Sequence, residues 1–170
     1  MNYAGILKDD VANGRGIGVC LFVSGCRNNC EGCFNKEQQD FNYGKEFTPE
    51  VEYCILELLD REYIKRFSIL GGEPLEGENI KQVYEFAKKV KEKYPDKTIW
   101  LYTGFIYEDL LKAEDDSYRK KILDVVDVIV DGPFIISKKD ISLKFRGSSN
   151  QRVIDVKASK ETVQLYNLED

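Results

Sequence analysis

Short runs of β-branched and aromatic residues alternate with amphipathic helical stretches along this chain, and that alternation limits its fold more than any other feature. Ile17–Val23 (IGVCLFV) reads as a buried strand. Thr48 opens a helix as a hydroxyl cap, with Pro49 in the first helical position and Glu50 and Glu52 in the first turn. The apolar positions of that helix, Val51, Cys54, Ile55, Leu58 and Leu59, follow helical spacing. Phe67–Leu70 is a short strand. Ile80, Val83, Tyr84, Ala87 and Val90 mark a second helix, with lysines toward its end and Pro95 beyond it. Thr98–Tyr102 (TIWLY) is a strand, and weaker helical segments fall around 107–113 and 117–125. Val128–Val130 and Arg152–Val156 are further strands. Such alternation implies right-handed crossovers and parallel pairing. About five or six strands are too few for an eight-stranded barrel, which takes about 250 residues. With no repeat and no linker, the expected fold is α/β, one domain over 1–170, a partial (βα) barrel or an open, mostly parallel sheet.

The unusual segments all follow strands. SGCRNNCEGCFN (Ser24–Asn35) comes after IGVCLFV, GGEP (Gly71–Pro74) after FSIL, YTG (Tyr102–Gly104) after TIWL, and DGPF (Asp131–Phe134) after VIV. Parallel α/β sheets place their sites at the C-terminal ends of the strands, so these four points predict one site. GRGIG (Gly14–Gly18) precedes a strand instead, which argues against a dinucleotide loop and for a flexible entry segment.

Three of the five cysteines, Cys26, Cys30 and Cys33, stand at C-x3-C-x2-C spacing, and the chain has no histidine. Gly25, Asn28, Asn29 and Gly32 make this stretch a loop rather than a helix. A loop can fold three thiolates around one polynuclear centre, and three rather than four leave one iron open. Two alternatives stay open: a structural zinc site completed by Cys20 or Cys54, and an electron carrier, which calls for a fourth cysteine. Cys20, inside an apolar strand, and Cys54, on the apolar stripe of its helix, read as core residues. The formal charge of −5, with both signs interspersed, argues against nucleic acid or anionic membrane as the main partner. No run of 18 apolar residues exists and the N-terminus lacks a signal-peptide core, so a cytoplasmic protein is expected.

At these residues the chain resembles the radical S-adenosylmethionine superfamily and, within it, the activators of anaerobic ribonucleotide reductases. The resemblance runs through NGRGIGVCLFVSGCRNNCEGCFN, LGGEPL, WLYTG, VDVIVDGPF and FRGSSNQR, with Gly18 where some relatives carry arginine. It implies that Cys26, Cys30 and Cys33 bind three irons of a 4Fe-4S cluster whose fourth iron chelates S-adenosyl-L-methionine. Gly32 and Phe34 would line that cofactor, Gly71 and Gly72 would let backbone approach it, and Glu73 would accept from its ammonium. Tyr102, Thr103 and Asp131 would face its ribose or adenine side. The implied activity is reductive cleavage of the cofactor and removal of a hydrogen atom from a glycine Cα. The implied partners are the large, glycyl-radical subunit of anaerobic ribonucleoside-triphosphate reductase and a one-electron reductant such as flavodoxin or ferredoxin. Another glycyl-radical enzyme as target, a zinc-stabilised binding module and an electron-transfer protein are the competing readings. Lys144–Arg152 (KFRGSSNQR) reads as a solvated loop, or as a loop that meets adenine or a partner.

Overall fold

The structure, a computed structural model, describes residues 1–169. Seven strands form one open sheet in the order β3-β1-β2-β4-β5-β6-β7. They are β1 (Asn2–Asp10), β2 (Gly18–Val23), β3 (Lys45–Glu46), β4 (Arg66–Gly71), β5 (Thr98–Tyr102), β6 (Val128–Asp131) and β7 (Arg152–Asp155). The helices are α1 (Pro49–Leu59), α2 (Ile80–Lys93), α3 (Tyr107–Leu111) and α4 (Tyr118–Lys121). The four central strands, β2-β4-β5-β6, pair in parallel, and β1, β3 and β7 add antiparallel pairs at the flanks.

Period-two alternation gives the sheet two different faces. Val19, Leu21, Val23, Phe67, Ile69, Ile99, Leu101, Ile129 and Ile154 meet the helices, whose buried stripes include Ile55, Leu59, Val83, Phe86, Ala87, Val90 and Leu110. The other face carries Trp100, Val128, Val130 and Val153, covered by Tyr102, Phe145, Tyr166 and Leu168. Arg66 and Ser68 on β4, both fully buried, make that second face partly polar.

β2, β4, β5, β6 and β7 stand within a residue or two of their expected places, and the two-residue β3 was not expected. Nor was β1. Its sequence, NYAGILKDD, lacks a β-branched run, and register shifts interrupt its pairing with β2 between Tyr3 and Gly5 and between Leu7 and Asp10. The flanking antiparallel strands make the sheet mixed. Thr48 stands at the N-cap of α1, but its side chain makes no capping hydrogen bond. The stretch 117–125 divides into α4, capped by Ser117 through a bond from the Lys120 N–H, and a short 3-10 turn.

Cys54 is exposed, contrary to the reading of it as a core residue. The buried stripe of α1 centres on Ile55 and Leu59, which turns position 54 toward solvent at the edge of that stripe. Cys20 is buried as expected, yet its neighbours are polar: Arg66 Nη1 lies 3.6 Å from its sulfur. GRGIG is not a loose entry segment. Arg66 binds the chain leading into β2 through Asp10 O, Asn13 O and Gly16 O and forms an ion pair with the Asp10 carboxylate at 2.8 Å. A Cβ on Gly18 would stand 2.6 Å from the guanidinium carbon, so the glycine makes room for this buried cation.

Candidate functional site

The loops after β2, β4, β5 and β6 converge on a cavity of about 540 Å³, within the size range of small-molecule sites. Cys26, Cys30 and Cys33 line it, with Phe34 and Asn28 from the same loop. Gly71, Gly72 and Glu73 enter from the β4 turn, Tyr102, Thr103 and Gly104 from the β5 turn, and Gly132, Pro133 and Phe134 from the β6 turn. Phe22, Leu70 and Val130 supply an apolar floor.

The cysteine loop is pinned to its neighbours by backbone bonds. Gly25 N–H donates to Gln38 O, Gly72 N–H to Val23 O and Glu73 N–H to Gly25 O, all within 2.7–2.8 Å. This contact explains the glycine pair of GGEP. Gly72 has Gly25 O at 2.7 Å from where a Cβ would stand, so the pair admits the backbone of the cysteine loop. Arg27 closes the loop from outside. Its N–H and guanidinium both bind Glu76 at 2.8 Å, it reaches Glu78, and it lies 4.4 Å over the Phe41 ring.

Glu73 joins three of the four loops. One carboxylate oxygen accepts from Leu75 N–H at 3.0 Å and Thr103 Oγ1 at 2.8 Å. The other accepts from Gly104 N–H at 2.7 Å and Asn28 Nδ2 at 3.1 Å. Burial raises its pKa, and these four bonds oppose the rise. The group expected to receive an ammonium is thus already occupied by donors of its own chain. Burial likewise pushes the Cys26 thiol up to about 11, so a metal taken there displaces a proton.

Nine of the eleven expected site residues line the cavity. Gly32 and Asp131 do not. Gly32 sits on the loop's outer side with φ near +70°, where a Cβ would lie 2.6 Å from Ile136 Cδ1. Asp131 is buried as a structural acceptor, taking bonds from Tyr107 N–H at 3.0 Å and from Arg152 at 2.6 and 3.1 Å. Arg152 also binds Glu108, so this cluster fastens the start of α3 to β7. Asp131 ends β6 with its carboxylate engaged by Tyr107 and Arg152, and it is not among the residues that line the cavity. Thr103 lines the cavity while its hydroxyl is engaged with Glu73 and Phe105 N–H. Tyr102 keeps a buried hydroxyl with no partner among the described residues, and burial raises its pKa.

Lys144–Arg152 is a cavity wall, not a solvated loop. Phe145, Arg146, Gly147 and Gln151 line the cavity. The Gln151 amide accepts from Gly147 and Ser148 N–H groups and donates to Gly132 O, and Asn150 donates to Pro133 O. Phe145 holds a left-handed φ of 61° with its ring 5.3 Å from Trp100. Sequence reasoning missed Asn28, Arg27 with Glu76, and Arg66. The only available sign was the unusual density of polar residues around the glycines.

Neither Cys20, buried in β2, nor Cys54, exposed on α1, lines the cavity that the other three cysteines border. Among the described residues, no group of three or more His, Cys, Asp or Glu side chains is gathered for a single metal ion. The donor set is three thiols on one loop beside an apolar floor, which fits a polynuclear centre built among them.

The sequence profile of a family described as "4Fe-4S single cluster domain" matches residues 12–154. The chain is also similar to three curated proteins, each named an anaerobic ribonucleoside-triphosphate reductase-activating protein. That of Pasteurella multocida is 41% identical over 153 residues, spanning 89% of this chain and 95% of the relative. That of Vibrio cholerae is 40% identical over 153 residues, 89% and 96% of the two chains. That of Escherichia coli is 38% identical over 155 residues, 90% and 97%.

Proposed function

The chain belongs to the 4Fe-4S single cluster domain family and to the anaerobic ribonucleoside-triphosphate reductase-activating proteins, and from that premise we propose that it generates the glycyl radical of such a reductase. Cys26, Cys30 and Cys33 would hold a 4Fe-4S cluster, and the cavity lined by Phe34, Gly71, Gly72 and Glu73 would take S-adenosyl-L-methionine. We read residues 1–170 as one radical S-adenosylmethionine domain, working in the cytoplasm with flavodoxin or ferredoxin as reductant. When bound, such a cluster would supply one electron to the cofactor's sulfonium.

The observation that carries this reading is the gathering of all three cysteines, and no other, on one cavity of cofactor size. The remaining residues bind, orient and exclude water. Phe22, Leu70, Val130 and Phe34 keep the cavity apolar, which protects a reactive species from solvent. Tyr102 and Thr103 stand on the wall of the cavity where a ribose or adenine would lie. Glu73 acts through Asn28, Thr103 and Gly104 by setting the spacing between loops.

Anaerobic reconstitution with iron and sulfide, then dithionite and S-adenosylmethionine, is expected to give 5′-deoxyadenosine. Mixing with the reductase should give a glycyl signal in electron paramagnetic resonance. Cofactor cleavage by the Cys26→Ala, Cys30→Ala or Cys33→Ala variant would defeat the ligand assignment. A glycyl signal on a different enzyme and none on the reductase would leave the chemistry and change the target.

A further inference from the structure

One wall of the cavity differs from the others in charge and exposure. Residues 136–147 carry Lys138, Lys139, Lys144 and Arg146 against the single acid Asp140, in a chain whose formal charge is −5. The segment is held in shape. Lys139 and Ser148 form an antiparallel bridge, Asp140 N–H donates to Gly147 O at 3.2 Å, and Ser149 N–H donates to Lys138 O at 2.9 Å. At the tip, Asp140 Oδ1 accepts from both the N–H and the hydroxyl of Ser142.

Ile141, on this ordered tip, is 94% exposed while also bordering the cavity. Phe34, which also lines the cavity, is 66% exposed, and Ile136, beside Gly32 of the cysteine loop, is 41% exposed. Lys139 stands 5.2 Å from the Phe34 ring, which joins the basic segment to the cysteine loop. Scattered exposed hydrophobes are ordinary, but two on the lining of one cavity, set among cations, mark an interaction site. Their joint exposure gives this chain no burial energy, whereas a partner that covers them gains it.

We propose that this wall is the docking surface for the protein substrate. Its occupant is an extended segment of the reductase that places an apolar side chain against Ile141, Ile136 and Phe34 and acidic residues against Lys138 and Lys139. The inference rests on the function proposed above, because a protein substrate has to present its backbone at the mouth of this cavity. The positive wall on a negative chain supplies the complementarity that steers such a segment to one side of the opening.

The test uses the reconstituted full chain and three variants at exposed positions. For Ile141→Asp, the KM for reductase in glycyl-radical formation should rise about tenfold, the loss of one apolar anchor. Formation of 5′-deoxyadenosine without reductase is read in Lys138→Glu, a position that does not line the cavity, and should stay within about twofold of the original. Lys138→Glu should raise the same KM a few-fold and weaken its dependence on salt. Tyr53→Asp, at an exposed position on α1, should change neither. A KM unaffected by Ile141→Asp overturns the proposal, as does a loss of reductase-free cleavage in Lys138→Glu that equals its loss of activation. So does a dimer that Ile141→Asp dissolves while activation persists, which would assign the wall to a second copy. If the original chain leaves no radical on the reductase, both this proposal and its premise fail; if it does and Ile141→Asp matches it, only this proposal fails.

Discussion

Arg66 and Glu73 are buried at opposite ends of β4, and the chain compensates their charges in opposite ways. Arg66, fully buried, meets a carboxylate, Asp10, at 2.8 Å and main-chain carbonyls from Asp10, Asn13 and Gly16. Glu73, 1% exposed, meets no cation and takes four bonds from neutral donors. The first is a closed ion pair that fixes the chain entering β2. The second is a carboxyl group beneath the cysteine loop whose burial is met by hydrogen bonds alone. The contrast separates a device for stability from one that shapes a site.

Removing the cation should have the largest effect. Arg66→Met leaves the Asp10 carboxylate buried without its partner, and breaking a buried pair from one side costs about 3–5 kcal/mol. Urea unfolding measures this directly. A loss of less than about 1 kcal/mol would mean that water replaces the guanidinium and that the pair is not the anchor described here.

Glu73→Gln keeps the shape and turns one acceptor into a donor facing Asn28, Gly104 or Thr103. The expected loss is about 1–3 kcal/mol, the cost of one buried donor left unpaired. It should be local: amide exchange at Leu75 and Gly104 should speed up while that around Asn13 and Gly16 stays as it was. Uniform acceleration would erase the distinction between the two ends.

The two substitutions should also respond to pH with opposite slopes. Burial raises the Asp10 pKa, but Asn13 N–H, Arg66 and Cys20 more than offset this and hold it below the usual range. Its stability contribution is therefore complete above the unfolded value of about 3.9 and is lost as pH falls through the folded one. Glu73 is shifted upward, so its contribution is complete below about 4.3 and is lost as pH rises through the folded value. The cost of Arg66→Met should shrink toward acid pH and that of Glu73→Gln should shrink toward neutral pH. Parallel slopes in the two unfolding series would refute the assignment.

Much of the second comparison partner was visible before the fold. TIWLY became β5 at its expected bounds, and the glycines of GGEP marked a close approach, although what approaches is Gly25 rather than a ligand. The convergence of loops followed from parallel topology, which needs only the order of elements. What stayed hidden depends on long-range partners. Arg66 opens a strand as an ordinary basic residue, and nothing local pairs it with Asp10, 56 positions earlier. Asp131 looked like a site residue because it ends a strand, but Arg152, 21 positions on, claims it for β7. Cys54 was misplaced for a geometric reason: apolar residues spread over a broad arc of α1, and only packing shows which part of the arc is covered.

The smallest expected effects fall on the two cysteines outside the cavity, and they sharpen the contrast from its structural side. Cys20 touches Arg66 Nη1 at 3.6 Å, and burial pushes its thiol up to about 12, so it stays neutral beside the ion pair. Cys20→Ala removes a weak acceptor and opens a small void, for about 1 kcal/mol. Cys54→Ala, on the exposed flank of α1, should change stability by less than about 0.5 kcal/mol. Neither should alter iron content after reconstitution, since neither borders the cavity. Iron loss in Cys54→Ala would supply the fourth ligand that an open cluster excludes. Iron loss in Cys20→Ala alone would show instead that disturbing the Arg66 end reaches the cysteine loop, and that the two ends of β4 are one device.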